Sequence, residues 1–271
     1  VLYVQKAPFE WSMTTAKHAS AFNTDIYFIL DFLFVISAIS TSNPAYISHG
    51  FLFYCGMHLY KLLYISLFSF YRVEAIVKDY SLLGKTIYLD AGHGGVDSGA
   101  VSGNILEKDI NLEIVKKLEA ELLSRGALVL LTRDGDYDLS TTTNNRKRDD
   151  LYSRVRLINS SNCDLYISIH LNSTTSSTWK GLQVFYSTIN SHNKDLASSI
   201  TNSLSKNISN VRKFKKSNSY YMYKNITIPG VLIETGFLSN PNDKYLLRQE
   251  DYQAKLASNI TEGIINYFQN N

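Results

Sequence analysis

Residues 81–271 predict an α/β domain, a three-layer sandwich with a mostly parallel central sheet and helices on both faces. Two observations carry the prediction. From Lys85 onward, short apolar runs of strand length alternate with amphipathic, charge-bearing segments of helical period, the order that builds a largely parallel sheet covered on both sides. No internal repeat or low-complexity tract interrupts that alternation, and its breaks are polar loops such as Ser140–Asn145 and Ser173–Thr178.

The first strand is expected at Thr86–Asp90, followed by the turn Gly92-His93-Gly94-Gly95 and a helix opening near Glu107. In that helix Ile110, Ile114, Leu118 and Leu122 recur every fourth residue, Glu113 and Lys117 are set to pair on the solvent side, and Gly126 ends it. Ala127–Leu131 reads as the next strand, Leu151–Asn159 as a helix and Asp164–His170 as a β-rich run. A strand at Leu182–Tyr186 precedes a helix with Leu196, Ile200 and Leu204 on one face. The strand Gly230–Ile233 and a helix carrying Leu256, Ile260 and Ile264 complete the set.

Residues 1–80 differ in character, being rich in Phe, Tyr, Leu and Ile without a catalytic-looking cluster. The run from Ile26 to Ile39 is broken by Asp31 and is shorter than the roughly 20 residues of a membrane helix. Phe51–Tyr71 is long enough but contains His58 and Lys61, both costly in a bilayer. Starting at Met57 removes the difficulty. Met57–Lys61 is then a basic leader, Leu62–Tyr71 an apolar region of signal-peptide length, and Val73-Glu74-Ala75 a passable cleavage site. We therefore expect residues 57–80 to be a signal peptide or membrane anchor and the 81–271 domain to act outside the cytoplasm. Residues 1–56 are expected to be upstream read-through or a fused fragment, or else an apolar helical region packed on the domain. Membrane contact is expected only through this N-terminal segment.

A net charge of +3, with no basic stripe interleaved with aromatics, argues against nucleic acid as a partner. Cys55 and Cys163 lie in regions of unlike character and supply neither a disulfide framework nor a thiolate metal knuckle. A metal would have to use histidine and carboxylate.

Those groups are present in a telling order. His93, His170 and Glu234 fall at the C-terminal ends of three predicted strands, and Glu107 opens the helix after the first. In open α/β sheets that edge is where loops converge on a ligand crevice. Two imidazoles and a carboxylate form the ligand set of a catalytic zinc site, with one position left for water. Glu234 would then act as general base, taking a proton from the attacking water and passing it to the leaving amine.

Plainer readings stand beside this one. The turn at His93 could cradle phosphate, although Asp97 occupies the place of a third glycine. Glu107, three residues after Asn104, could complete a capping box. His170 could be a hydrogen-bonded core histidine. Glu234 follows the apolar run Val231-Leu232-Ile233, where a bare charge is expensive to bury without a partner or a role.

Taken together, Leu89-Asp90-Ala91-Gly92-His93-Gly94-Gly95, Glu107-Lys108-Asp109, Ser168-Ile169-His170-Leu171-Asn172 and Ile233-Glu234-Thr235-Gly236-Phe237-Leu238-Ser239-Asn240 resemble the zinc N-acetylmuramoyl-L-alanine amidases, the amidase-3 family. Thr132–Leu139, Arg154–Asn159 and Pro229–Ile233 look similar to its germination-specific, spore-cortex branch. The resemblance implies zinc held at His93, Glu107 and His170, and catalysis by Glu234. It implies cleavage of the amide between N-acetylmuramic acid and L-alanine in peptidoglycan, with muramic δ-lactam formation as the purpose in cortex and the forespore intermembrane space as the location.

An accessory protein is a further expected partner. Asn172 could hydrogen-bond the peptide or sugar. Arg154 could pair with a stem-peptide carboxylate, or simply lie on a solvated helix face. Asp134–Arg148 is polar, lacks an apolar helical face, and is not expected to plug the cleft. A vegetative cell-wall amidase and a zinc carboxypeptidase-like peptidase are the alternatives. The second usually keeps its first His and Glu on one turn, unlike His93 and Glu107.

Overall fold

The computed structural model describes residues 79–270. The leader, anchor and read-through expectations for residues 1–78 lie outside the described residues. Among the described residues no helix is long and apolar enough to cross a membrane.

The elements run β1 (Thr86–Ala91), β2 (Val101–Ser102), β3 (Ile105–Leu106), α1 (Glu107–Leu123), β4 (Leu128–Leu131), α2 (Arg146–Ser160) and β5 (Leu165–Asn172). They continue as β6 (Gln183–Tyr186), α3 (Asn193–Asn207), β7 (Lys215–Lys216), α4 (Tyr221–Asn225), β8 (Gly230–Phe237), α5 (Pro241–Leu247) and α6 (Glu250–Gln269). Six strands form the central sheet in the order β4-β1-β5-β8-β6-β7. The β4, β1, β5 and β8 pairings are parallel, whereas β6 runs antiparallel to β8. This is the expected α/β architecture with two reversed strands at one edge, β6 and β7, which run parallel to each other.

Strand alternation assigns the layers, because successive side chains point to opposite faces. Ile87, Leu89 and Ala91 of β1, Leu165, Ile167, Ile169 and Leu171 of β5, and Val231 and Ile233 of β8 join the larger core beneath α1, α3 and α6. Tyr88 and Tyr166 face the other way, into a smaller cluster with Val155 and Ile158 of α2 and Met222 of α4. On that second face the apolar pair Tyr88 and Tyr166 gives way toward the strand ends to Asp90, Ser168, His170 and Glu234. Register sets Asp90 beside Ser168 and His170 beside Glu234. The polar end of this face is the floor of the site.

Helix α1 forms as its spacing predicts, with Ile110, Ile114, Leu118 and Leu122 all buried. Each such side chain is worth about 1.5–3 kcal/mol. Gly126, at φ 83°, makes the left-handed turn that leads into β4. The expected Glu113–Lys117 pair is not the one that forms. Glu113 instead accepts from Gln253 of α6 at 2.7 Å, and the helix's own ion pair is Lys116–Glu119 at 3.0 Å. Helix α2 begins earlier than its apolar spacing indicates, and β8 runs past Glu234 to Phe237.

Candidate metal centre

The turn after β1 delivers His93 in the left-handed region, at φ 64°. A non-glycine residue there costs of order 1–3 kcal/mol and persists only where its surroundings over-determine it. The surroundings do so from both sides. His93 Nδ1 lies 2.9 Å from Asp97 Oδ2, which fixes the ring and points Nε2 inward. Gly99, itself at φ 67°, lets the following loop close on the site, since a Cβ there would collide with both His93 and Glu107.

Glu107 is buried at the first position of α1, and its role is not capping. No side-chain cap bond forms at that helix start. Its Oε2 accepts from Ala100 N–H at 2.8 Å and its Oε1 from Leu171 N–H at 2.9 Å. The same Oε1 stands 3.2 Å from His93 Nε2 and 3.1 Å from His170 Nδ1. The donor atoms of His93, Glu107 and His170 all lie within 4.8 Å of one another.

Bonds of about 2.0–2.1 Å around a tetrahedral ion put neighbouring donors roughly 3.3 Å apart, close to the two carboxylate–imidazole separations. The three residues therefore fit a divalent cation of the zinc type. Their electrostatics agree. Burial works against charge on both His93 and Glu107, yet Glu107 and Asp97 raise the His93 pKa and the two imidazoles hold Glu107 well below the usual carboxylate range. The cluster favours positive charge at its centre.

His170 reaches this position because Gly92 has no side chain. A Cβ at Gly92 would overlap the His170 imidazole. Gly92→Ala is expected to displace that ring and weaken binding of a divalent metal ion by about 10–100-fold, the usual cost of disturbing a ligand's support. Chelator competition on the folded variant measures this, and unchanged affinity would show that the ring finds another path.

Glu234 is buried next to His170 in the β5–β8 register, and its Oε2 is buried without a hydrogen-bond partner among the described residues. Burial pushes its carboxyl up to about 7, with the attraction of His170 opposing and the repulsion of Glu107 adding. Such a carboxyl holds or gives up a proton near neutral pH, as a general base requires.

Of the other expected contacts, Asn172 lies half-buried at the end of β5, where its carbonyl accepts from Leu238 N–H. Arg154 requires correction. It is neither a surface residue nor free for a substrate carboxylate, being 1% exposed with its guanidinium against Asp90 at 2.7 Å and Asp150 at 2.9 Å. Its remaining bonds go to the carbonyls of Ala91 and His93. The Asp134–Arg148 segment packs beside the His93 turn, with Asp136 bonded to Gly95 N–H and Lys108, and Lys147 3.3 Å from Asp97. Sequence reasoning gave Asp97 no supporting role. Its position four residues after His93 is a signal on a helix but not on an irregular loop.

Residues 87–266 match the N-acetylmuramoyl-L-alanine amidase family. The chain is 47% identical over 192 residues to the germination-specific N-acetylmuramoyl-L-alanine amidase of Bacillus subtilis (strain 168), a match spanning 69% of this chain and 81% of that protein. It is 35% identical over 190 residues to the N-acetylmuramoyl-L-alanine amidase LytC of the same organism, covering 69% of this chain and 36% of LytC. Among solved structures, the CwlD amidase from Clostridioides difficile in complex with the GerS lipoprotein matches with a TM-score of 0.67 at 40% identity, over 69% of this chain and 100% of that one.

Proposed function

This chain belongs to the N-acetylmuramoyl-L-alanine amidase family, and from that premise we propose that it is a zinc enzyme that strips stem peptides from spore-cortex glycan so that muramic δ-lactam can form. Peptidoglycan amidase activity comes with the family. The zinc and cortex assignments are our reading, and the observation that carries the first is the cluster of His93, Glu107 and His170 with Glu234 beside it. The similarity to a germination-specific relative supports the second.

In this reading His93, Glu107 and His170 hold the ion, and Asp97 keeps the His93 ring in place. Zinc, when bound, polarises the scissile carbonyl and acidifies water. Glu234 accepts a proton on its carboxylate as the water oxygen attacks the lactyl carbonyl carbon. It returns that proton to the amide nitrogen as the C–N bond breaks, leaving a lactyl carboxylate on the sugar and a free amine on L-alanine. Asn172, beyond His170 on the same strand, hydrogen-bonds the peptide or sugar in this proposal.

Residues 81–271 form the catalytic domain in this proposal, exported or anchored through residues 57–80 and acting in the extracytoplasmic or forespore intermembrane space. A C. difficile relative has been solved in complex with a lipoprotein, which supports an accessory protein here too.

Mass spectrometry of purified cortex muropeptides incubated with the full chain, with and without zinc, tests the reaction. Intact lactyl-bearing glycan and free stem peptides, formed only with zinc, are expected. Release of a terminal amino acid instead would sink the amidase chemistry, and equal turnover after exhaustive chelation would sink the zinc assignment.

A further inference from the structure

Arg133, the second residue of the loop after β4, is 1% exposed, yet its guanidinium bonds to main-chain carbonyls. Nε donates to Ala91 O at 2.9 Å, Nη1 to Gly135 O at 3.0 Å, and Nη2 to both Gly92 O at 3.0 Å and Lys108 O at 2.7 Å. Keeping a cation in a dry interior is costly, so the arrangement needs a return.

The identity of the carbonyls supplies it. Ala91 and Gly92 lead directly into His93, and Gly92 is the residue against which the His170 ring rests. Lys108 follows Glu107. A single planar fork thus bridges the turn that carries one expected ligand and the helix start that carries another. A lysine ammonium, one point charge on a flexible stem, cannot reproduce that set of directions.

We infer that Arg133 is a positioning residue that sets the spacing between the His93 turn and the Glu107 helix, so that the centre binds its ion tightly only while this bridge is intact. The inference rests on the zinc reading above. Arg133 does not touch the substrate or the ion. It acts on the carbonyls next to two ligands, and the effect belongs to affinity and coordination geometry as well as to stability.

The test compares Arg133→Lys and Arg133→Gln with Leu118→Ala, a truncation in the buried face of α1 away from the site. Each full-length protein is checked for cooperative unfolding, then titrated with zinc against a chelator. Cobalt-substituted samples are examined by visible absorption, whose bands report coordination geometry.

Both Arg133 variants are expected to bind zinc about 10–100-fold more weakly and to show shifted cobalt bands. In them kcat should fall more than KM changes. Leu118→Ala is expected to melt lower with wild-type zinc affinity. Wild-type affinity and cobalt bands in the Arg133 variants would overturn the inference, and so would failure of both to fold, which would make Arg133 a core residue. Absence of zinc binding by the wild-type chain would instead remove the reading on which the inference stands.

Discussion

Glu234→Gln is expected to lower turnover of muropeptides by about 10²–10⁴-fold, the range a positioned general base contributes, while leaving bound metal unchanged. The two halves of that result have separate causes. Glutamine keeps the size and burial of the side chain but cannot accept a proton, and Glu234 is outside the three-residue cluster whose donor atoms converge. The fall should therefore be in kcat with little change in KM.

The same substitution should stabilise the metal-free protein at alkaline pH. Burial raises the Glu234 carboxyl from its ordinary range to about 7. A raised carboxyl favours the folded state while it is protonated, and that contribution is lost as pH rises through the folded value. Above about pH 7 the wild type must keep a carboxylate charged in a buried position where one oxygen has no partner among the described residues. The variant avoids that penalty and should melt higher at pH 8, with the difference vanishing toward pH 4.5. Undiminished turnover would remove Glu234 from the mechanism. Equal melting at pH 8 would show that its burial carries no penalty.

Much of this arrangement is legible in the residues alone, for a physical reason. Long elements with one apolar face, such as α1 and α6, announce themselves because burial imposes their period. His170 and Glu234 stand out because each closes a largely apolar strand run, and His93 because it sits in the glycine-rich turn just after one. What escaped was whatever depends on a partner from another element. Helix α2 starts with Arg146-Lys147-Arg148-Asp149, a turn without an apolar face, after an Asn145 in the left-handed region. Its Arg154 reads as one more charge on a polar helix, and Asp90 on β1 together with the carbonyls of Ala91 and His93 makes it a core residue. The signal was available at the other end. Asp90 follows Ile87-Tyr88-Leu89 as Glu234 follows its own apolar run, and the argument that a buried carboxylate needs a partner applies to both.

That partnership gives the largest expected effect on stability. Asp90 is fully buried and accepts from Arg154 Nη1 at 2.7 Å, Ser168 Oγ at 2.6 Å and Thr132 Oγ1 at 2.9 Å. Burial alone would raise its pKa, but the Arg154 charge and the hydrogen bonds outweigh burial and hold it below the ordinary carboxylate range.

Asp90→Asn keeps the shape and leaves Arg154 with Asp150 as its remaining ion-pair partner. Removing one member of a buried pair costs about 3–5 kcal/mol, a large share of the roughly 5–15 kcal/mol by which domains are stable. For a domain of this size about 3 kcal/mol lowers the melting temperature by roughly 6–12 °C. A depressed carboxyl contributes stability that is present above its unfolded value of about 3.9 and lost as pH falls through the folded one. The deficit of the variant should accordingly be constant from pH 5 to 8 and shrink below pH 4, where the wild type surrenders the same charge. Thermal unfolding of both proteins across that range measures it. A variant within about 1 kcal/mol of wild type at pH 7 would mean that Asp150 and the carbonyls of Ala91 and His93 suffice to hold Arg154, and with it the turn that carries His93.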